Sequence, residues 1–133
     1  MEDVWVPFLT NAKNAELKVV EPVYFEVGKW EILPEVKMVL NKAIVVLKGN
    51  EKYSIEVSAH TDSRGDEKFN QELSEKRANA AKEYMASKGV NANQITTKGH
   101  GETKPLNRCV DGINCTEDEY IVNRRMEFII KRK

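Results

Sequence analysis

The middle of this chain places a carboxylate and a guanidinium where they could meet. Asp62 directly follows a strand-like run, and Arg77 lies fifteen residues later on a predicted helix. Arg77 stands four residues after Leu73 and four before Ala81, so it shares the apolar face of that helix. An unpaired charge on a buried face is costly, so Arg77 needs a partner, and Asp62 is the candidate. The pair could also hold a ligand that carries both charges.

Other interpretations of this segment stay open at this level. A buried Asp–Arg pair can simply tether a helix to a loop, because ion-pair networks also occur where nothing binds. His60 and Asp62, with His100 as a third ligand, offer metal-ligating side chains, but their spacing is loose and no metal motif supports it. Three serines lack the glycines of a nucleophile elbow: Ser58, Ser63 and Ser74. We therefore expect neither a metal site nor a cofactor.

An ordinary globular composition and a balanced charge exclude several classes of protein. With 133 residues, 41% of them hydrophobic and 32% charged, the chain fits one domain with a buried core. Twenty-one basic residues balance twenty-one acidic ones, which argues against nucleic-acid binding. No apolar run reaches the length of a membrane span. The acidic start Met1-Glu2-Asp3 lacks the apolar core of a secretory signal, so we expect either a cytosolic protein or an excised domain.

The two cysteines of the chain lie in one loop. Cys109 and Cys115 flank five residues that include Asp111-Gly112, a strong turn signal. A local disulfide is the simplest interpretation, and it indicates an oxidising compartment. Two free thiols are the alternative, whereas a zinc site would need further cysteines that the chain lacks.

Periodicity predicts strands that alternate with helices. Val19–Val27 is rich in β-branched and aromatic residues, and a helix with a Pro34 start carries apolar residues at helical spacing as far as Leu47. The remaining predicted elements are a strand around residues 55–59, a helix over residues 67–88, a strand over residues 94–98, a short helix from about Thr116 and a final strand over residues 126–130. The order of elements predicts an α/β sandwich with helices over one sheet.

A set of motifs occurs in an order that resembles the OmpA-like C-terminal domain, the family of the periplasmic domain of OmpA, the lipoprotein Pal and the stator protein MotB. The motifs are His60-Thr61-Asp62-Ser63-Arg64-Gly65, then Asn70, Leu73-Ser74 and Arg77-Ala78, then Gly99-His100-Gly101-Glu102 with Pro105, and last Asn123-Arg124-Arg125. The resemblance runs from about Val19 to Arg132. It implies an α/β two-layer sandwich, a mixed sheet with helices over one face, with residues 1–18 as a lead-in and residues 19–133 as the domain.

The resemblance also implies a function and a site. Members of the family bind peptidoglycan non-covalently, hold the free end of diaminopimelate in its stem peptide, and have no catalytic activity. Asp62 would accept from the ligand ammonium, and Arg77 would meet its carboxylate with a planar fork. The expected surrounding residues are Thr61, Asn70, Leu73 and, from the last strand, Asn123 and Arg124. The expected location is the periplasm, as part of a larger protein of the outer membrane or envelope, and the alternative is a protein-interaction module in which the Asp62–Arg77 pair is structural.

Two features depart from the family pattern. Many relatives carry an aspartate where this chain has Gly28, so a contact made there would have to come from the backbone. The loop between Cys109 and Cys115 is an insertion relative to the shorter members, and we expect it to be an exposed loop closed by a covalent staple.

Overall fold

A computed structural model describes residues 29–132 with their side chains and residues 16–22 as backbone. The strands are β1 (Glu16–Pro22), β2 (Tyr53–His60), β3 (Ile95–Gly101) and β4 (Arg125–Arg132), and the helices are α1 (Pro34–Leu47), α2 (Glu67–Ser87) and α3 (Glu117–Ile121). A 3-10 turn, Ala92–Gln94, leads into β3. None of the helices in these ranges is long and apolar enough to cross a membrane.

The four strands form one mixed sheet in the order β1-β4-β2-β3. β4 pairs antiparallel with both β1 and β2, whereas β2 and β3 run parallel. A parallel pair needs a crossover connection, and α2 supplies it. The carboxyl end of β2, the start of α2 and the carboxyl end of β3 therefore meet at one edge of the fold.

The core lies between this sheet and the helices α1 and α2. Alternate residues of β2 and β4 are buried on one face, and apolar residues of both helices pack against them. The principal members are Val36, Leu40 and Leu47 from α1, Ala78, Ala81 and Met85 from α2, and Ile55, Val57, Phe128 and Ile130 from the sheet. The predicted α/β sandwich with a mixed sheet is confirmed.

Both long helices begin and end where the sequence signals indicate. Pro34 occupies the first turn of α1, and the Asp66 carboxylate caps α2 by accepting a 2.9 Å hydrogen bond from the main-chain N–H of Phe69. Gly89, at φ +101°, follows the end of α2 in a conformation that favours glycine.

The first strand differs from its prediction. β1 covers Glu16–Pro22 and thus begins inside the predicted lead-in, whereas the second half of the predicted strand, residues 23–27, and Gly28 lie outside the described residues. The extent of β1 follows its partner, because each of its residues pairs in register with β4, from Glu16 opposite Lys131 to Pro22 opposite Arg125. Because backbone hydrogen bonds set this extent, no periodic pattern of apolar residues in the sequence marks it.

Candidate ligand-binding site

Asp62 lies in the turn that connects β2 to α2, with only 7% of its surface exposed. Its Oδ1 accepts a 2.9 Å hydrogen bond from the main-chain N–H of Arg64, and its Oδ2 accepts a 2.8 Å hydrogen bond from Nη2 of the same residue. The Nε atom of Arg124 lies 3.4 Å from Oδ2. The buried carboxylate is thus surrounded by positive charge, as burial of an anion requires.

Thr61 and Asn70 fix the shape of this turn. The main-chain N–H of Thr61 donates to the Gly101 carbonyl at 2.8 Å, which ties the turn to the end of β3. The Nδ2 group of Asn70, from the first turns of α2, reaches three acceptors: the Arg64 carbonyl at 2.9 Å, Glu102 Oε1 at 3.1 Å and the Asp62 carbonyl at 3.4 Å. Both side chains are buried, so the geometry around the Asp62 carboxylate is preorganised.

Arg77 lies on the buried face of α2 as predicted, but its contact differs from the prediction. Its Nε donates a 2.9 Å hydrogen bond to the main-chain carbonyl of Lys29, while Asp62 forms its ion pairs with Arg64 and Arg124. The ion pairs of Asp62 found among the described residues are therefore with Arg64 and Arg124, and none of them joins it directly to Arg77. Arg64 has the advantage of proximity, because a residue two positions along the same turn closes onto the carboxylate at little entropic cost.

Electrostatics nevertheless link Arg77 to the same site. Burial and, to a smaller extent, the positive charge of Arg124 lower the pKa of Arg77 to about 10, and the negative charge of Asp62 opposes both effects. The charges of Asp62 and Arg124 therefore both act on Arg77. With 7% of its surface exposed, Arg77 keeps a buried guanidinium beside a second cation.

Leu73 and Arg124 complete the predicted set. Leu73 is buried on α2 between Asn70 and Arg77 and adds an apolar side chain to that face. Arg124 precedes β4, its side chain is 25% exposed, and its Nη2 pairs with the Glu117 carboxylate. Its buried Nε makes an ion-pair contact with Asp62, and no hydrogen bond from this atom is found among the described residues.

Sequence reasoning assigned no role to two residues that hold this network together. Glu117, the first residue of α3, accepts from Arg64 Nη1 at 2.9 Å and also pairs with Arg124, and the two guanidinium groups lower its pKa. Arg64 additionally lies over the Tyr120 ring, 4.2 Å from its centroid. Arg64 stood in the quoted motif, whereas no local pattern connects Glu117 to a turn fifty-three residues earlier.

The histidines and cysteines do not form the metal site considered from the sequence. The rings of His60 and His100 stack with centroids 4.9 Å apart, and among the described residues these rings and Asp62 are not a group within metal-ligating reach. In the described ranges, the group of side chains within metal-ligating reach is Cys109, Cys115 and Glu119, and a disulfide joins the two sulfurs. The predicted Cys109–Cys115 disulfide is present.

Comparison with known proteins agrees with the fold described above. The model of the OmpA family matches residues 24–114. The chain belongs to the OmpA family. The peptidoglycan-associated lipoprotein of Buchnera aphidicola is 34% identical over 114 residues, which is 86% of this chain and 63% of that protein. Photosystem I P700 chlorophyll a apoprotein A2 of Gloeobacter violaceus is 37% identical over 113 residues, 84% of this chain but 13% of that protein.

A solved structure supports the same assignment. The crystal structure of the peptidoglycan-associated lipoprotein from Burkholderia pseudomallei superposes with a TM-score of 0.70 and 25% identity, covering 81% of this chain and 87% of that one. The resemblance inferred from the motifs is thereby confirmed. The chain spans less than two thirds of the length of the curated relatives named above.

Proposed function

We propose that this domain binds peptidoglycan non-covalently, through the diaminopimelate residue of the stem peptide, and catalyses no reaction. Membership of the OmpA family supports peptidoglycan as the ligand, since relatives within it are named peptidoglycan-associated lipoproteins. The observation that carries the proposal is the buried Asp62 carboxylate, which pairs with Arg124 and whose charge acts on the buried guanidinium of Arg77. The free end of diaminopimelate carries an ammonium and a carboxylate on one carbon, and it matches this charge arrangement.

The ligand carboxylate would bind between Arg77 and Arg124. These two cations repel each other, which is part of the reason why the pKa of Arg77 is lowered to about 10. An anion placed between them removes that repulsion and accepts charge-assisted hydrogen bonds from both. A guanidinium is also suited to a carboxylate because its parallel N–H groups match the two oxygens.

The ligand ammonium would bind the carboxylate of Asp62. That carboxylate now pairs with Arg64, whose side chain is 44% exposed and therefore able to leave. The main-chain N–H of Arg64 stays on Oδ1 and keeps the carboxylate oriented. Thr61, Asn70 and Leu73 would then form the walls that hold the two charges at the spacing of the zwitterion.

A second candidate function is a protein-interaction module in which the charge network is structural. The observation that favours it is that Asp62 already forms ion pairs with two residues of its own chain, Arg64 and Arg124. Arg124 also pairs with Glu117. In that case each charged residue would stabilise the fold, and its removal would act on stability whether or not cell-wall fragments are present.

The proposed location is the periplasm, as the cell-wall anchor of a larger protein of the outer membrane or envelope. The names of the relatives support an envelope protein, among them an outer membrane porin of Pseudomonas fluorescens and an outer membrane protein of Bordetella avium. The Cys109–Cys115 disulfide is consistent with an oxidising compartment. Many copies that face a polymeric wall would gain avidity over a single site.

Calorimetric titration with two muropeptides tests the proposal. One contains diaminopimelate and the other contains lysine, which lacks the additional carboxylate. We expect selective binding of the first, and a loss of about 2–5 kcal/mol of binding free energy in Asp62→Ala and in Arg77→Ala. Arg108→Ala is the matched control, because this arginine is 65% exposed and pairs with Glu119 instead. Equal affinity for both muropeptides, or unchanged affinity in both alanine variants, would contradict the zwitterion site.

A further inference from the structure

A groove runs along α2 beside the site proposed above. Its lining is contributed by the segment before α1 on one side and by the middle of α2 on the other: Lys29, Trp30 and Glu31, and Ala80, Glu83 and Tyr84. Trp30 is 46% exposed, a large apolar surface to leave in water. An exposed tryptophan in a concave surface is the kind of residue that contributes strongly to binding.

The groove adjoins Arg77 of the proposed diaminopimelate site. The Lys29 carbonyl, at one end of the groove, accepts the hydrogen bond from Arg77 Nε at 2.9 Å. Lys76, the neighbour of Arg77, places its Nζ 4.4 Å from the centroid of the Trp30 ring. Tyr84 lies seven residues after Arg77 on the same helix face, so the groove leads away from the site by about 10 Å.

We infer that this groove binds the N-acetylated amino sugar to which the stem peptide is attached. The inference rests on the proposed function, because the stem peptide must first occupy the charged site. In a muropeptide, two amino acids separate diaminopimelate from the sugar and span about 7–10 Å when extended. This span matches the distance from Arg77 to the far end of the groove.

The chemistry of the lining fits such a sugar. A pyranose ring has faces made of C–H groups and edges made of hydroxyls, and an N-acetyl group adds a methyl and an amide N–H. Trp30 supplies an aromatic surface with an indole N–H, and Tyr84 supplies a second aromatic surface whose hydroxyl already donates to Asn41 at 2.7 Å. The carboxylates of Glu31 and Glu83 can accept from hydroxyl and amide groups. Charges of both signs surround the groove: Glu31 and Glu83 are accompanied by Lys29 and Lys76, and the Nζ atoms of Lys37 and Lys88 lie 5.8 and 5.7 Å from the centroid of the Tyr84 ring. Such a mixed lining suits an uncharged ring.

A comparison of two ligands separates this inference from the proposed function. The first is the diaminopimelate-containing stem peptide without sugar, and the second is the same peptide attached to the disaccharide. We expect calorimetry to show that the sugar tightens binding by about three- to tenfold. Trp30→Ala should lose this gain and leave the affinity for the bare peptide unchanged. Trp30→Phe should retain part of it, and Val45→Ala, an exposed position on α1 outside the groove, should retain all of it.

Fluorescence gives a readout that does not depend on the stability of a variant. In a Trp5→Phe background Trp30 is the single tryptophan, and its emission should shift with the sugar-bearing ligand but not with the bare peptide. Equal affinity of both ligands and a silent Trp30 would overturn the sugar site while the proposed function stands. If neither ligand binds, the proposed function fails and this inference fails with it. A Trp30→Ala change in oligomeric state with an unaltered affinity ratio would make the groove an interface between copies, which also overturns it.

Discussion

Arg64 binds the carboxylate of Asp62 twice, through its main chain and through its side chain. The main-chain N–H donates to Oδ1 at 2.9 Å, and Nη2 donates to Oδ2 at 2.8 Å. The same guanidinium reaches Glu117 and lies over the ring of Tyr120. The free domain therefore supplies its own cation to the carboxylate that the proposed ligand ammonium would use.

Removal of this internal cation should strengthen ligand binding. Arg64→Ala leaves the main-chain N–H in place but removes the nearer of the two guanidinium groups at Oδ2, so the ammonium competes there only with Arg124 at 3.4 Å. Because the side chain is 44% exposed, the gain is small, about two- to fivefold in affinity for the diaminopimelate muropeptide.

Calorimetry measures this gain, and Arg108→Ala serves again as the control for a lost surface arginine. A clear loss of affinity in Arg64→Ala would show that Arg64 contacts the ligand instead of competing with it.

The disulfide should contribute measurably to stability. Cys109 is 1% exposed and Cys115 is half-buried, and the bond between them closes a loop with a sequence separation of 6. Replacement of both by serine should lower the free energy of unfolding by about 2 kcal/mol, because a short loop no longer restricts the unfolded chain. Urea denaturation of the two proteins measures the difference. In a reductant that opens the disulfide, the free energy of unfolding of the wild-type protein should approach that of the variant. A difference that persists would indicate that packing of the sulfur atoms also contributes.

Most of the fold could be predicted because its signals are local. The start of α1 at Pro34, the end of α2 at Gly89 and the alternation along β4 each depend on a few neighbouring residues. Burial on α2 was harder to predict. Phe69 has helical spacing to Leu73 yet is 51% exposed, whereas Asn70 beside it is buried, because the sheet edge rather than apolar character decides which side of the first turn is covered.

The residues of the candidate site could be selected from the sequence, but their pairings could not. Asp62 and Arg77 were selected by one physical requirement, a partner for a buried charge, and by the family motifs. Two guanidinium groups pair with this carboxylate, those of Arg64 and Arg124, and its charge also affects the pKa of Arg77; the choice among the three depends on distances that no spacing rule encodes. Glu117 illustrates the same limit, since its contacts exist only after α3 has packed beside the turn.

Gln94 should be among the most costly residues to replace outside the site. It is 6% exposed, and its Nε2 donates to three main-chain carbonyls, those of Leu47, Asn50 and Tyr53, at 2.8–2.9 Å. Gln94→Leu keeps the size but leaves these acceptors without their donor, which should lower the free energy of unfolding by about 2–3 kcal/mol. Asn93→Ala, an exposed position in the same 3-10 turn, should change it by less than about 0.5 kcal/mol in the same urea titration.

His60 should make the stability of the domain depend on pH. Burial and the positive charge of Arg125 lower the pKa of His60 from 6.5 to about 4, although the carboxylate of Glu127 opposes this. Between pH 4 and pH 6.5, His60 binds a proton in the unfolded chain but not in the folded protein. The contribution is therefore complete above pH 6.5 and is lost as the pH falls through 4, with a full size of up to about 3 kcal/mol for this buried ring.

Glu102 has the opposite effect on the pH dependence of stability, so variants are needed to separate its effect from that of His60. Burial and a hydrogen bond with Asp111 raise the pKa of Glu102 from 4.5 to about 7, so the folded protein holds the proton more tightly and loses stability as the pH rises from 4.5 to 7. Urea unfolding at pH 7.5 and pH 4.5 should show partial cancellation in the wild-type protein. Glu102→Gln should lose more stability than the wild type on acidification, because the opposing effect of Glu102 is removed. His60→Asn should lose less, and equal pH responses in wild type and His60→Asn would show that His60 titrates normally in the folded domain.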